Sequence, residues 1–400
     1  MRDLKLSFTD VLEGKEKWLM ADTLCNGCFA MDKKTGNIEH LFSFEGESPV
    51  TAGLYYQIYP YGRELFFVPG YARSICAWNP DTNKQTVYPI TKKEKMPYRY
   101  VDSCRIDNKI WLFPASLSQP VVLFDLERRT VEFWNDYTDG QPDEIKNRTG
   151  EVFFRQYVIR GAKAYAVLHG SPYLVCFDLQ EKVFSVKQIA GKEYAFNDVG
   201  YGRDSFWFAQ KGSYEVLRWH PQTEERETYR WPDLADGPGA GYSNVIGYQE
   251  RIFLVPFTGT KILEASPAKK ELEVFCELPQ DLGCMKDERK GWRRFYSCRS
   301  MGGRIRLYPN QADLMVDIHV AEKYACGQSY QISEAWYRDV FQKQLLPAWL
   351  ADKFSKDNGE IQENGLVDLE AYVSYIEQRE PDERTAERVN YGERIHRALL

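Results

Sequence analysis

Arginine, asparagine and tyrosine recur just ahead of short apolar runs in this sequence, at Tyr98-Arg99-Tyr100, Phe153-Phe154-Arg155, Asn197-Asp198, Ser243-Asn244 and Arg293-Arg294-Phe295-Tyr296. Tyr55, Tyr56, Tyr59 and Tyr61 form a further cluster. Arginine's planar fork suits a carboxylate or phosphate, and tyrosine with asparagine suits sugar hydroxyls or a peptide. The set expected to bind a ligand is therefore Tyr56, Arg99, Tyr100, Arg155, Asn197, Asn244, Arg294 and Tyr296. The same residues could instead satisfy strand ends and fill a wet channel.

Acid–base chemistry would need a further pair of titratable groups. Glu151, His169 and Asp198 are the candidates, with Arg99 and Arg294 as stabilisers of developing charge. The nucleophile elbow Gly-x-Ser-x-Gly, the phosphate loop and the dinucleotide glycine fingerprint are all missing. So are the sialidase Asp-box and the repeated Gly-His and Trp-Asp dipeptides of WD repeats. Cys25-Asn26-Gly27-Cys28 has metal-like spacing but supplies two ligands where zinc needs four, and Asn26-Gly27 reads as a turn. No metal and no cofactor is expected.

Strands must position these residues. Gly62 to Ile90 shows the unit: Leu65 to Val68 ends in Pro69-Gly70, Ile75 to Trp78 ends in Asn79-Pro80-Asp81, and a third run ends at Ile90. Aromatic and β-branched runs punctuated by Gly, Pro, Asn and Asp are strands joined by tight turns. The unit recurs with a register set by Asp32, Asn79, Asp125, Asp178, His220, Ser266 and His319, at spacings of 47, 46, 53, 42, 46 and 53. A period of about 48 with several strands per copy is that of propeller blades. Each copy reads as four strands, A to D. Its A–B turn carries Gly, Asn or Asp, as at Gly62, Asp107-Asn108, Gly161 and Gly302-Gly303.

The layout of residues 1–330 resembles the kelch and galactose-oxidase-like propellers, although the double glycine of kelch blades occurs once, at Gly302-Gly303. The resemblance implies an all-β, seven-bladed propeller, with six blades as the alternative. No residues match that family's copper ligands. Lys17 to Met20 reads as strand B of the first copy, with Leu4 to Phe8 as its strand A or as a segment closing the ring. In a propeller the starts of the inner A strands meet the long D–A loops at one mouth of the central channel. That mouth is where the Arg/Asn/Tyr set is expected, rimmed by Asn135 to Gly150 and Trp231 to Gly241, the latter a possible lid.

Residues 331–400 read as a helical extension. Trp336, Val340, Phe341, Leu345 and Trp349 recur at helical spacing, and Leu369, Tyr372, Val373 and Ile376 follow i, i+3, i+4, i+7. The extension carries a net charge of −5 out of −6 for the whole chain. It would cap the ring or dock a protein partner. The acidic balance argues against nucleic acid, and no run is long enough to cross a bilayer. The start has no signal-like apolar stretch, so the nine cysteines are expected as reduced thiols in a cytoplasm. Together these features predict a non-catalytic binding or scaffold protein. It would hold a small anion, a glycan, a peptide or a protein partner at the channel mouth. The alternative is a lyase or hydrolase acting on a saccharide or small molecule there.

Overall fold

The computed structural model describes residues 6–23, 25–47, 53–91, 97–153, 157–231, 241–257, 259–279, 282, 295–309 and 314–332. The expected helical extension beyond Ile332 and the lid segment 232–240 lie outside them. The described residues fall, Ile332 apart, in one compact unit formed by Leu6–Glu47 and Thr51–Gln331.

Antiparallel meanders of four strands follow one another along the chain. The first holds β1 (Leu12–Glu13), β2 (Lys17–Ala21), β3 (Cys28–Asp32) and β4 (Asn37–Phe42). The second is β5 (Tyr55–Tyr61), β6 (Glu64–Pro69), β7 (Ser74–Asn79) and β8 (Lys84–Pro89). Next come β9 (Tyr100–Ile106), β10 (Lys109–Pro114), β11 (Val121–Asp125) and β12 (Thr130–Trp134). After a one-turn helix α1 (Asp143–Lys146) the fourth run is β13 (Val158–Arg160), β14 (Lys163–Val167), β15 (Tyr173–Asp178) and β16 (Val183–Gln188). The fifth is β17 (Phe196–Gly202), β18 (Ser205–Gln210), β19 (Glu215–Trp219) and β20 (Arg226–Arg230). The sixth is β21 (Tyr242–Tyr248), β22 (Arg251–Pro256), β23 (Lys261–Ser266) and β24 (Glu271–Glu277). The last is β25 (Phe295–Met301), β26 (Arg304–Pro309), β27 (Leu314–His319) and β28 (Tyr324–Ser329).

Among the described residues, five sheets stand alone as separate blades, where the sequence predicts seven. The fifth and sixth runs share one eight-stranded sheet. A single parallel bridge, Arg230 to Glu271, joins their outer strands β20 and β24, and the Lys270–Glu227 ion pair (2.9 Å) lies beside it.

The turns follow from side-chain chemistry. The residues that set the sequence register end the third strand of their runs, except His220, which lies one residue beyond β19. Asp32 Oδ1 accepts the backbone N–H groups of Lys34 and Thr35 at 2.9 and 2.8 Å, and Asp125 Oδ1 does the same for Glu127 and Arg128. Asn79, Asp178 and His220 also accept from the turns that follow them. Four residues on, the chain turns through positive φ each time, at Gly36, Asn83, Arg129, Lys182, Glu224, Lys270 and Lys323. A short polar side chain that caps the turn's own amides holds the backbone in that bend.

The core lies between successive meanders. Phe42 and Phe44 of the first run meet Tyr55, Phe67 and Trp78 of the second, and Phe66 of the second meets Phe124 of the third. Such faces bury both sides of each sheet, so its inner strands read as continuous apolar runs. Two expectations are corrected. Strand A of the first run is β1, not Leu4 to Phe8. The Leu6 and Thr9 carbonyls instead carry closing contacts, accepting from Tyr330 and Ser297, and Leu4 lies outside the described residues. The first two residues of the expected extension are no helix either: Gln331–Ile332 is a short strand beside β4. Within the segment 135–150, Tyr137 and Ile145 are buried in one cluster with Phe177 and Phe184, and most of the other residues are exposed.

Candidate functional site

The first strand of each run lies innermost, and at the start of five of them, and just before β1 in the first run, stands a repeated pattern: a buried aromatic residue, any residue, then a polar one. The triplets are Phe8-Thr9-Asp10, Tyr55-Tyr56-Gln57, Tyr100-Val101-Asp102, Phe196-Asn197-Asp198, Tyr242-Ser243-Asn244 and Phe295-Tyr296-Ser297. The six aromatic residues are at most 2% exposed, which makes them core anchors. In five of these strands the register slips by one residue within the triplet. The bulge turns the third residue toward the neighbouring run, away from its own sheet.

That third residue stitches one inner strand to the next. Asp198 Oδ2 accepts the Val245 N–H at 2.8 Å, and Asp102 Oδ2 accepts the Tyr157 N–H at 2.7 Å. The Asp10 carboxyl accepts from the Ile58 and Val11 amides. Ser103 Oγ donates to Gln57 Oε1, Ser297 Oγ to the Thr9 carbonyl and Thr9 Oγ1 to the Tyr56 carbonyl. An innermost strand has a free edge, and its amides need partners that no further strand supplies.

Arg299, on β25, spans the axis these strands surround. Its Nη2 lies 3.3 Å from Asp102 Oδ1 on β9, and its Nε lies 3.9 Å from Asp10 Oδ1. The Nε is buried and has no hydrogen-bond partner among the described residues. Burial alone would discharge the guanidinium, but Asp102 and Asp10 outweigh it and hold the proton more firmly than in an ordinary arginine. Burial pushes the Asp10 carboxyl up to about 6, although Arg299 and the Ile58 amide pull the other way. Tyr59 and Tyr308 beside this pair are likewise pushed up by burial, and the Tyr59 hydroxyl donates to the Ser103 carbonyl at 3.0 Å.

On the far side of Arg299 lies a cavity of about 840 Å³. Its walls come from the inner strands of the fourth to seventh runs, with Gly200 and Gly247 among the lining residues. At these two glycines the fifth and sixth inner strands come too close for a side chain. A Cβ on Gly247 would stand 1.7 Å from the Tyr201 carbonyl oxygen, and one on Gly200 would stand 2.8 Å from that of Val245. The rim carries Arg160, whose guanidinium lies 3.5 Å from the Tyr201 ring centroid, and Glu250, which accepts the Arg203 amide at 2.5 Å.

No family and no curated protein matches the sequence. Solved structures do match in fold. The extracellular domain of the putative hybrid two component system BT4673 from B. thetaiotaomicron is 10% identical with a TM-score of 0.50, over 77% of this chain and 38% of that one. The chain thus spans well under half the length of that protein. The RRP9 WD40 repeats are 11% identical with a TM-score of 0.50, over 84% of this chain and 92% of theirs. U3-55K matches at 10% identity and a TM-score of 0.50, over 80% and 90% of the two chains. The fold is a β-propeller. Likeness at such identities reaches no further than the fold.

Within this propeller the residues expected to form one mouth serve several purposes. Arg99 is ion-paired with Glu151 and lies 5.2 Å from the Tyr71 ring centroid, so two expected site residues hold each other. His169 Nε2 and Asn197 Oδ1 lie 3.0 Å apart, while Asn197 Nδ2 donates to the Tyr242 carbonyl. Asn244 accepts from Ser243 within the stitching layer, and Tyr100 is buried in the core. Tyr56 is partly buried, its carbonyl bonded to Thr9. Arg155, Arg294 and the Tyr296 side chain lie outside the described residues. The cavity opens instead at the A–B turns, the other end of the inner strands. Sequence reasoning passed over Arg299, Asp10 and Arg160. The aromatic–x–polar triplet could have led to Asp10 and Asp102, because it recurs near the blade period.

Proposed function

We propose that this chain is a binding propeller whose central channel holds a small ligand on the A–B side, the ring serving as its scaffold. The cavity beyond Arg299 carries the reading: about 840 Å³ suits a ligand of metabolite size. The catalytic alternative, a lyase or hydrolase, is less favoured. Glu151 is paired with Arg99, His169 meets Asn197, and Asp198 holds a backbone amide, so each candidate acid or base already has a structural partner. We read the eight-stranded sheet as two blades sharing one bridge, which makes a seven-membered ring of kelch-like layout. A cytoplasmic setting and a protein partner on the acidic extension belong to the same proposal.

The test is thermal unfolding against a panel of organic acids, nucleotide sugars, oligosaccharides and short peptides. Binding to the folded state raises the midpoint by mass action. The panel is repeated with Ser300→Trp, which fills the cavity from an exposed lining position, and with Arg99→Ala at the opposite mouth. A shift lost in Ser300→Trp and kept in Arg99→Ala is expected. The reverse pattern moves the site to the D–A mouth, and no shift with any ligand overturns the small-ligand reading.

A further inference from the structure

Hydrogen-bonding capacity is left over in the cavity, and part of it is donor-type. Four charged side chains line it: Arg160, Asp198, Glu250 and Arg299. The two carboxylates are engaged, Asp198 by the Val245 amide and Glu250 by the Arg203 amide. The two arginines differ. Arg160 lies flat on Tyr201 and, among the described residues, has no hydrogen bond or ion pair. Arg299 has five N–H donors to place, of which Nη2 reaches Asp102. Its Nε, 3.9 Å from Asp10, is beyond hydrogen-bond range and is buried without a partner. The Arg299 side chain is nonetheless 23% exposed and lines the cavity, so its remaining donors can meet an oxygen ligand there.

On this basis, and resting on the binding reading above, we propose that the ligand is a small carboxylate with a ring-sized body, its carboxylate held by Arg299 in the channel and its outer end met by Arg160 and Tyr201. A carboxylate matches the guanidinium fork and adds the acceptors these donors lack. The Arg160–Tyr201 pair offers a flat cationic face on which a ring can lie.

The experiment is titration calorimetry with two anionic probes, glucuronate and benzoate, and their neutral counterparts, glucose and benzamide. Either acid should bind at least about tenfold more tightly than its neutral counterpart, a difference that charge-assisted bonding readily supplies. Arg160→Gln, at the rim and outside the stitching layer, should weaken the acid by a similar factor and leave the unfolding midpoint in place. Ser300→Trp should abolish binding. Equal binding of acid and neutral probe, with Arg160→Gln unchanged, overturns the carboxylate assignment while the cavity remains a binding site. Failure of all four probes also overturns it. The Ser300→Trp comparison on the wider panel then decides whether the cavity reading fails as well.

Discussion

Asp10 and Arg299 show how the channel sets the behaviour of single residues. Burial raises the Asp10 carboxyl from an ordinary 3.8 to about 6, so the fold favours its protonated form. The stability that goes with the proton is fully present below about pH 4 and is lost as pH rises through about 6. Asp10→Asn mimics the protonated carboxyl at every pH. It should therefore be more stable than the natural chain at pH 8, by about 1–2 kcal/mol after allowance for partial exposure, with the difference vanishing near pH 4. Urea unfolding of both proteins at the two pH values checks this. A variant destabilised at pH 8 but not near pH 4 would mean that the ionised Asp10–Arg299 pair is a net support.

The inner strands are the elements that decide the site. Each starts with an anchored aromatic residue and a bulge, and its third residue ties the next strand's amides. Where the fifth and sixth inner strands meet, Gly200 and Gly247 remove the spacing that side chains would impose. Gly247→Ala drives a Cβ against the Tyr201 carbonyl, a backbone group that cannot swing away, and should cost about 3 kcal/mol or more. Gly212→Ala, at φ +67° with open space around the new Cβ, should cost about 1 kcal/mol from backbone strain alone. Chemical denaturation midpoints of the two variants should differ accordingly. A Gly247→Ala protein as stable as Gly212→Ala would show that the inner strands separate freely.

At the scale of the whole molecule, the ring must join its last run to its first. The Tyr330 hydroxyl donates to the Leu6 carbonyl at 2.7 Å, and the Gln331 amide donates to Gly36 at 2.9 Å. Arg306, fully buried, holds Asp317 through two bonds of 2.6 and 2.7 Å and lies 4.3 Å from the Trp18 ring centroid in the first run. Arg304 reaches both Asp317 and Glu13. Arg306→Met strands a buried carboxylate and should destabilise by about 3 kcal/mol, less than an isolated pair would lose at the upper end because Arg304 stays within reach. The double variant Arg306→Met/Asp317→Leu should recover most of that loss. A double variant no better than the single would locate Arg306's contribution in its contact with Trp18 rather than in the pair.

The sequence by itself determined the repeat. Strand ends at Asp32, Asn79, Asp125 and Asp178 are legible because the capping side chain acts on amides two or three residues away, a local interaction that any copy of the motif carries with it. The apolar runs are legible for a similar reason, since burial on both faces leaves no polar alternation. Only the tertiary structure decided the site. Arg299, Asp10 and Asp102 belong to three different runs, and nothing in the neighbourhood of any one of them records the others. The partners of Arg99 and Asn197 also come from other runs, Glu151 for the one and His169 with Tyr242 for the other. In a ring the residues around the axis are neighbours by closure and not by sequence, so their partners emerge when the ring is formed.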